Sequence, residues 1–289
     1  MKHYNNMARQ AGMTLIELTV VLLVLIGLAG LMIPYVSGFV SKTHDSTGTN
    51  NLAALNGTIQ RFHTQFNSLP DDLHSLIETS TGTNPGTVYS ELMNPNMLSP
   101  VTYTEDGTTG MVATEIPLMS LTSAGITSVY DMKDPTTNGS KTFDAGNAPV
   151  TVPMPSAGNA AAVTLAALNS GDRADIETHL ATAFGRQATN FNSTCYDYIV
   201  MGVGQESEMT GRAIQEAPVH FAQNGDMGPD KRYNRFVSVF QVDKDNSTAG
   251  CSTNTEQAKF IGTAMIMMPN HIIGLAEEMD AAYANIAAK

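Results

Sequence analysis

Apolar residues follow three different rhythms along this chain, and each rhythm predicts a different kind of element. Residues 13–33 are continuously apolar, with Glu17 the one strongly polar side chain among them. At about 1.5 Å per residue, a helix of that length matches the roughly 30 Å hydrocarbon core of a bilayer. Gly27, Gly30 and Pro34 weaken a helix, the glycines by loosening the backbone and the proline by removing a donor. A kink near Pro34 is expected. Residues 41–51, SKTHDSTGTNN, are polar and poor in helix formers, and read as frayed helix or a hinge. Leu52, Leu55, Ile59, Phe62, Phe66 and Leu69 then recur at spacings of 3, 4, 3, 4 and 3, an apolar stripe along one helix face, which Pro70 stops. Asp71 or Asp72 is placed to cap a short helix running through Leu76 and Ile77.

Beyond residue 79 the rhythm changes to short β-branched runs separated by Gly, Pro, Asn and Ser. Residues 101–104, 110–116, 126–132 and 150–154 read as antiparallel strands joined by loops. Residues 160–168 fit helix or strand equally. Residues 172–184, DRADIETHLATAF, place Ile176, Leu180 and Phe184 at i, i+4 and i+8 behind an acidic start, which predicts a helix. Four apolar runs follow, at 196–203, 217–222, 236–242 and 260–268, several of them apolar enough to be central strands of one sheet. After Pro269 the pattern at 272–288 returns to helix, with Ile273, Leu275, Ala276, Met279 and Tyr283 on one side. The length of the middle region predicts an inserted subdomain or a second small lobe.

Composition narrows the function classes. The 289 residues hold 15 Lys+Arg against 27 Asp+Glu, a formal charge of −12. Affinity for nucleic acid comes largely from neutralising phosphates, so an acidic chain argues against that ligand. The acidity reads more simply as a solubility feature of an exposed surface.

The 12 residues ahead of the apolar run, MKHYNNMARQAG, carry Lys2 and Arg9 and end on the small pair Ala11-Gly12. A secretory signal peptide has its small-residue cleavage pattern after the apolar run, so here the helix is expected to survive as an anchor. Gly12, then Met13-Thr14-Leu15-Ile16-Glu17-Leu18, then the unbroken apolar helix, resembles the class III signal of type IV prepilins and type II secretion pseudopilins. The resemblance is close over residues 12–40 and holds elsewhere in outline. It implies that a dedicated membrane peptidase cuts between Gly12 and Met13 and methylates the new N-terminus on Met13. The family usually begins its mature chain with phenylalanine, so Met13 is a departure. Loss of Lys2 and Arg9 would take the formal charge from −12 to −14.

The resemblance also implies that Glu17, fifth in the mature chain, attracts the amino terminus of a neighbouring subunit during filament assembly. A carboxylate in hydrocarbon costs several kcal/mol unless it is paired. The residues themselves leave two further readings open. The α-ammonium of a cut chain would lie on Met13, four residues before Glu17 and on the same helix face. Glu17 also fits a hydrated carboxylate at the interfacial end of the span. In some family members the glycine-proline region, here Gly27, Gly30 and Pro34, loses helical hydrogen bonds inside the filament. The turn at Ser68-Leu69-Pro70-Asp71-Asp72-Leu73 looks like the one that many pilin-like proteins carry after the first helix.

Cys195 and Cys251 are the whole cysteine supply, and both fall in the part that would be exported. In an oxidising compartment such a pair is expected to join. Similar C-terminal disulfides bound the recognition loop of many type IV pilins. Within the loop they would close, Asn224, Asp226, Asp230, Asp243, Asp245 and Asn246 offer oxygen ligands. The alternation of Asp243, Asp245 and Ser247 resembles a calcium loop, and major pseudopilins bind calcium near their C-terminus. Asn254 stands where the bidentate glutamate belongs and Thr248 where the glycine belongs, so Asp243 and Asp245 are weak calcium candidates and Asp/Asn-rich turns the simpler explanation. His63, His74, His179, His220 and His271 share no metal-ligand spacing and read as surface or packed histidines. Gly202-Val203-Gly204 lacks the rest of a dinucleotide fingerprint. Asn-x-Ser/Thr triplets begin at Asn56, Asn138, Asn192 and Asn246, a frequency that so polar a chain produces without glycosylation.

The sequence therefore predicts an α+β, pilin-like protein with a long N-terminal helix, half transmembrane and half amphipathic, packed on an antiparallel sheet. Its parts are a leader at 1–12, a transmembrane and filament-core helix at 13–40, an amphipathic half with its turn at 41–78, and a periplasmic or extracellular head at 79–289. The resemblance implies a single-pass inner-membrane protein with a periplasmic head, later part of an extracellular pilus. Its partners would be prepilin peptidase, other pilin subunits and an inner-membrane assembly platform. Two relatives of that reading stay open: a type II secretion pseudopilin in a periplasmic piston, which a calcium requirement would favour, and a minor pilin acting as tip adhesin, which low copy number would favour. A membrane-tethered enzyme is set aside, because the sequence offers no triad, metal motif or phosphate loop.

Overall fold

The computed structural model describes residues 15–79, 87–88, 92, 97–103, 116–133, 150–153, 163–169, 175–220, 233–244, 250–251, 256–267 and 271–287. The chain divides into two compact units, Met1–His44 and Asp45–Lys289. Helix α1 runs over Leu15–Phe66 with an unbroken helical backbone. Residues 41–51 are thus helical in backbone. Packing overrides propensity there: Gly48 is buried, and a Cβ on it would lie 3.6 Å from His220 Nδ1 and 3.7 Å from Met265 Sδ.

The apolar stripe performs as its spacing predicts. Leu52, Leu55, Ile59 and Phe62 are buried together with Leu69 in one hydrophobic core, while Phe66 stays 43% exposed against Phe62. The helix ends at Phe66, before Pro70 is reached, and Asn67 takes the left-handed conformation, φ 54°, that favours a helix stop.

Asp71 and Asp72 do not cap a helix. The chain enters strand β1 (Leu73–Thr79), and Asp71 instead accepts hydrogen bonds from the Thr127 and Ser128 amides at 2.9 and 2.7 Å. Asp72 accepts one from the Ser128 hydroxyl at 2.6 Å. The helix-like spacing of Leu73, Leu76 and Ile77 has a different origin. The pairing of β1 slips between His74 and Glu78, and Leu76 sits at φ 58°. This bulge turns both Leu76 and Ile77 into one core, while Leu73 faces the other.

The remaining described elements are β2 (Thr87–Val88), β3 (Leu98–Tyr103), α2 (Ile116–Ser123), β4 (Ser128–Lys133), β5 (Val150–Pro153), β6 (Val163–Leu168), α3 (Ile176–Phe184), β7 (Tyr196–Gly202), β8 (Val237–Asp243), β9 (Lys259–Met267), β10 (His271–Gly274) and α4 (Leu275–Ala287). The strand expectations near 101, 126, 150, 196, 236 and 260 and the helix ending at Phe184 therefore hold. Of residues 160–168, residues 163–168 form strand β6 and residues 160–162 lie outside the described residues. Of the run 110–116, residues 110–115 lie outside the described residues and Ile116 opens α2, a helix with Ile116, Pro117, Leu118, Ser120 and Leu121 buried and Met119 43% exposed. Residues 217–220 make only an isolated bridge, Val219 to Arg235, rather than a strand. The C-terminal helix begins at Leu275, because His271–Gly274 first pairs with β9.

All ten strands among the described residues belong to one sheet, with the path β10-β9-β8-β7-β1-β4-β5; β2 pairs with β1, and β6 joins β3 to β7. The described pairings are antiparallel except for β1 with β4, which run parallel. The described strands of the middle region are thus woven into the same sheet as the C-terminal ones, and no second lobe is formed among the described residues. Side chains alternate between two cores. Ile199 and Met201 of β7, with Phe240 and Val242 of β8, meet the stripe of α1 and the apolar side of α2; Tyr198, Val200, Val237 and Val239 meet Leu180 and Ala183 of α3. A strand buried on both faces must be apolar almost throughout, which is why β7 and β8 are so evident in the sequence. A backbone anchor reinforces the first core: Thr263 of β9 donates its hydroxyl to the Leu52 carbonyl at 3.0 Å.

Candidate functional site

Two features of the protein invite a functional explanation, and the first is the start of α1. Over Leu15–Ile33 the helix has a mean hydropathy of 2.6 and no residue covered by the rest of the protein. Leu15 is 81% exposed and Ile33 69%. By length and composition this helix is long and apolar enough to cross a membrane. The Thr19 hydroxyl donates within the helix to the Ile16 carbonyl at 2.9 Å, and Glu17 is an exposed carboxylate near the start of the span. Cβ atoms on Gly27 and Gly30 would meet nothing within 4 Å, so neither glycine serves close packing within the chain. The backbone at Pro34 is helical. Gly12 and Met13 lie outside the described residues.

Cys195 and Cys251 are joined, with their Cα atoms 5.3 Å apart. The bridge ties the entry of β7 to the segment between β8 and β9, and Lys244 beside it donates its amide to the Cys195 carbonyl at 2.9 Å. Asp243 ends β8 buried, and its carboxylate accepts the Glu256 amide. Burial raises the Asp243 carboxyl above its usual range against that hydrogen bond. Asp245, Asn246, Ser247, Thr248 and Asn254 lie outside the described residues, as do Asn224, Asp226 and Asp230. Among the described residues no three His, Cys, Asp or Glu side chains gather as metal ligands.

The second feature is a cluster that reading the histidines by spacing misses. His74 of β1 stands opposite Gly202 of β7 in the sheet. It is 2% exposed, its Nε2 lies 2.7 Å from Glu206 Oε2, and its Nδ1 lies 3.3 Å from the Tyr233 hydroxyl. Hydrogen bonding to His74 is the main cause that lowers the Glu206 carboxyl, with burial opposing it. An ionised carboxylate only accepts, so Nε2 carries the proton, and in the neutral ring Nδ1 accepts from Tyr233. The signal for this cluster was Gly202-Val203-Gly204. A Cβ on Gly204 would fall 1.8 Å from His74 Nε2, and one on Gly202 1.6 Å from the Tyr233 oxygen.

Compared with known proteins, the chain matches no family model, no curated protein and no solved structure.

The two features suit different chemistry. The uncovered helix can bind apolar surfaces and present a single carboxylate to a cation. In the Glu206–His74–Tyr233 chain His74 and Tyr233 are buried, at 2% and 3% exposure, and their contacts link β1 to the segments that follow β7 and precede β8. A groove of about 660 Å³ between α1 and the start of β9 is lined by Gln60, His63, Thr64, Leu69 and residues 256–260, including the exposed Lys259–Glu256 pair.

Proposed function

We propose that this protein is the subunit of a type IV pilus-like filament, inserted in a membrane through α1 and then assembled by packing that helix against the helices of other subunits. The observation that carries the reading is the 19-residue span Leu15–Ile33, apolar on every side, uncovered by its own chain, and bearing one carboxylate near its start. Apolar surface gains roughly 25 cal/mol per Å² on removal from water, so a helix of this kind is driven into a bilayer or a helix bundle. Intramembrane carboxylates are functional by default, and the α-ammonium that cleavage at Gly12–Met13 would create on a neighbouring subunit matches Glu17 in charge. The sequence around Gly12, Met13 and Glu17 resembles the prepilin processing signal and supports the same reading. Its role is mechanical: the helix builds the filament core and the disulfide-closed α+β unit forms the outer surface.

The test is the intact mass of the protein from its native host, with fragmentation of the N-terminus. The expected species begins at N-methylated Met13. A mature chain that retains Met1 would refute processing as a filament subunit and leave an ordinary membrane-anchored protein.

A further inference from the structure

Residues 204–217 follow β7 and are held by a few apolar contacts and several polar ones. Met209 and Ala217 are buried, Ile214 packs part-buried against the first core, Arg212 lies over the Phe66 ring, and Ser207 is buried as well. The polar fastenings are the Glu206–His74 contact, a pair of hydrogen bonds between Glu208 and the Asp71 backbone at 3.1 and 3.2 Å, and Arg235 on the Ala217 carbonyl at 3.0 Å, while the Gln205 side chain accepts the Ala217 amide at 3.0 Å within the segment. Segments with few apolar contacts open locally at a cost far below that of global unfolding. Among these fastenings, the histidine contact is the most enclosed charged one: His74 is 2% exposed and the Glu206 side chain 25%.

We propose that Glu206 and His74 form an acid-released latch that holds residues 204–217 against the start of β1. The fold is shaped around this contact. Gly202 and Gly204 are close-approach positions that admit no Cβ beside Tyr233 and His74, and Leu76, two residues past His74, sits in the left-handed region that β-strand leucines avoid. Such a site tolerates no repacking that would substitute for the lost bond, so the latch is either made in full or released.

The charged and titratable groups around Glu206 give the direction of the switch. His74 faces it from β1; Tyr233 and Arg235 approach from the stretch leading into β8, Arg235 favouring its ionised form. Glu208 and Arg212 pair with each other on its own segment, Asp71 lies just ahead of β1, and Tyr130 of β4 is the strand partner of His74. The His74 hydrogen bond holds the folded Glu206 carboxyl below its unfolded value. Stability from the latch is therefore full above the ordinary glutamate range and is lost as the pH falls through the folded value. Protonated Glu206 no longer offers the charge-assisted acceptor, and the segment is freed while the sheet remains.

Amide hydrogen exchange read by peptide mass spectrometry on the full chain in detergent micelles tests this, after correction for the intrinsic pH dependence of exchange. The wild-type segment 204–217 is expected to lose roughly tenfold or more in protection below the ordinary glutamate range, the equivalent of one charge-assisted hydrogen bond, with β8 still protected. Glu206→Gln is expected to show the released level already at neutral pH and no further step, whereas Glu208→Gln keeps the step. The proposal is overturned if Glu206→Gln retains the wild-type step, if the wild type has none, or if β8 opens in the same transition. Imidazole 15N shifts of the wild type provide an independent reading: the Nε2–H tautomer of His74 at neutral pH supports the latch and the Nδ1–H tautomer contradicts it.

Discussion

Gly202 lies so close to Tyr233 that a Cβ on the glycine would fall 1.6 Å from the phenolic oxygen and 2.7 Å from the ring carbon bearing it. Both residues are pinned, Gly202 by its pairing with Val237 in β8 and with His74 in β1, and Tyr233 by its contact with the imidazole. Gly202→Ala is therefore expected to destabilise the protein by about 2 kcal/mol or more, since an inserted methyl in a filled core forces backbone shifts. Thermal unfolding of the full chain checks this. An unchanged midpoint would show that Tyr233 is free to move aside.

Asp243 should respond in the opposite direction to a typical surface carboxylate. Burial raises its folded carboxyl above the unfolded value, so its ionisation opposes folding at neutral pH, and that penalty fades as the pH falls through the folded value toward the unfolded one. Asp243→Asn keeps an oxygen for the Glu256 amide while removing the charge. The variant is expected to melt above the wild type at neutral pH and level with it below the ordinary aspartate range. Were Asp243 a calcium ligand, the same substitution would instead lower the melting temperature in the presence of calcium, and chelation would reproduce the loss in the wild type.

Cys195 and Cys251 are 56 residues apart in sequence. Closing a loop of that length removes chain entropy from the unfolded state worth about 4 kcal/mol. Replacing both cysteines by serine is expected to lower the unfolding free energy by about 2–4 kcal/mol, with the sheet otherwise retained. Denaturant titration of the oxidised wild type against the double variant measures it, and equal midpoints would mean that contacts around β7 and β8 already restrict the loop.

The elements legible in the sequence were those whose burial imposes one clear period. The stripe from Leu52 to Phe62 has one buried face, and β7 and β8 have two, so their patterns could not mean much else. β1 misled because a bulge at His74–Glu78 with Leu76 in the left-handed region gives a strand the spacing of a helix. Helix α2 was silent because its eight residues are fewer than a periodic pattern needs and the buried Ser120 interrupts its apolar run. The region near residue 217 carried strand-like composition, yet its polar fastenings allow only a bridge to Arg235. The histidine cluster draws His74, Glu206 and Tyr233 from three distant stretches. Only the neighbouring of β7 and β1 in the sheet unites them, and sequence spacing holds no trace of that order.

Assembly through α1 is tested most directly by shearing filaments from cells of the native host and measuring how much of this protein enters the extracellular fraction, for the wild type and for Glu17→Leu. The helix stays apolar in that variant, so insertion in the membrane should be unaffected, and only the carboxylate is lost. Wild-type protein recovered in the sheared filaments, with the variant retained in the membrane fraction, is the predicted result. Wild-type protein that stays wholly in the membrane, or a variant that assembles as well as the wild type, would contradict it.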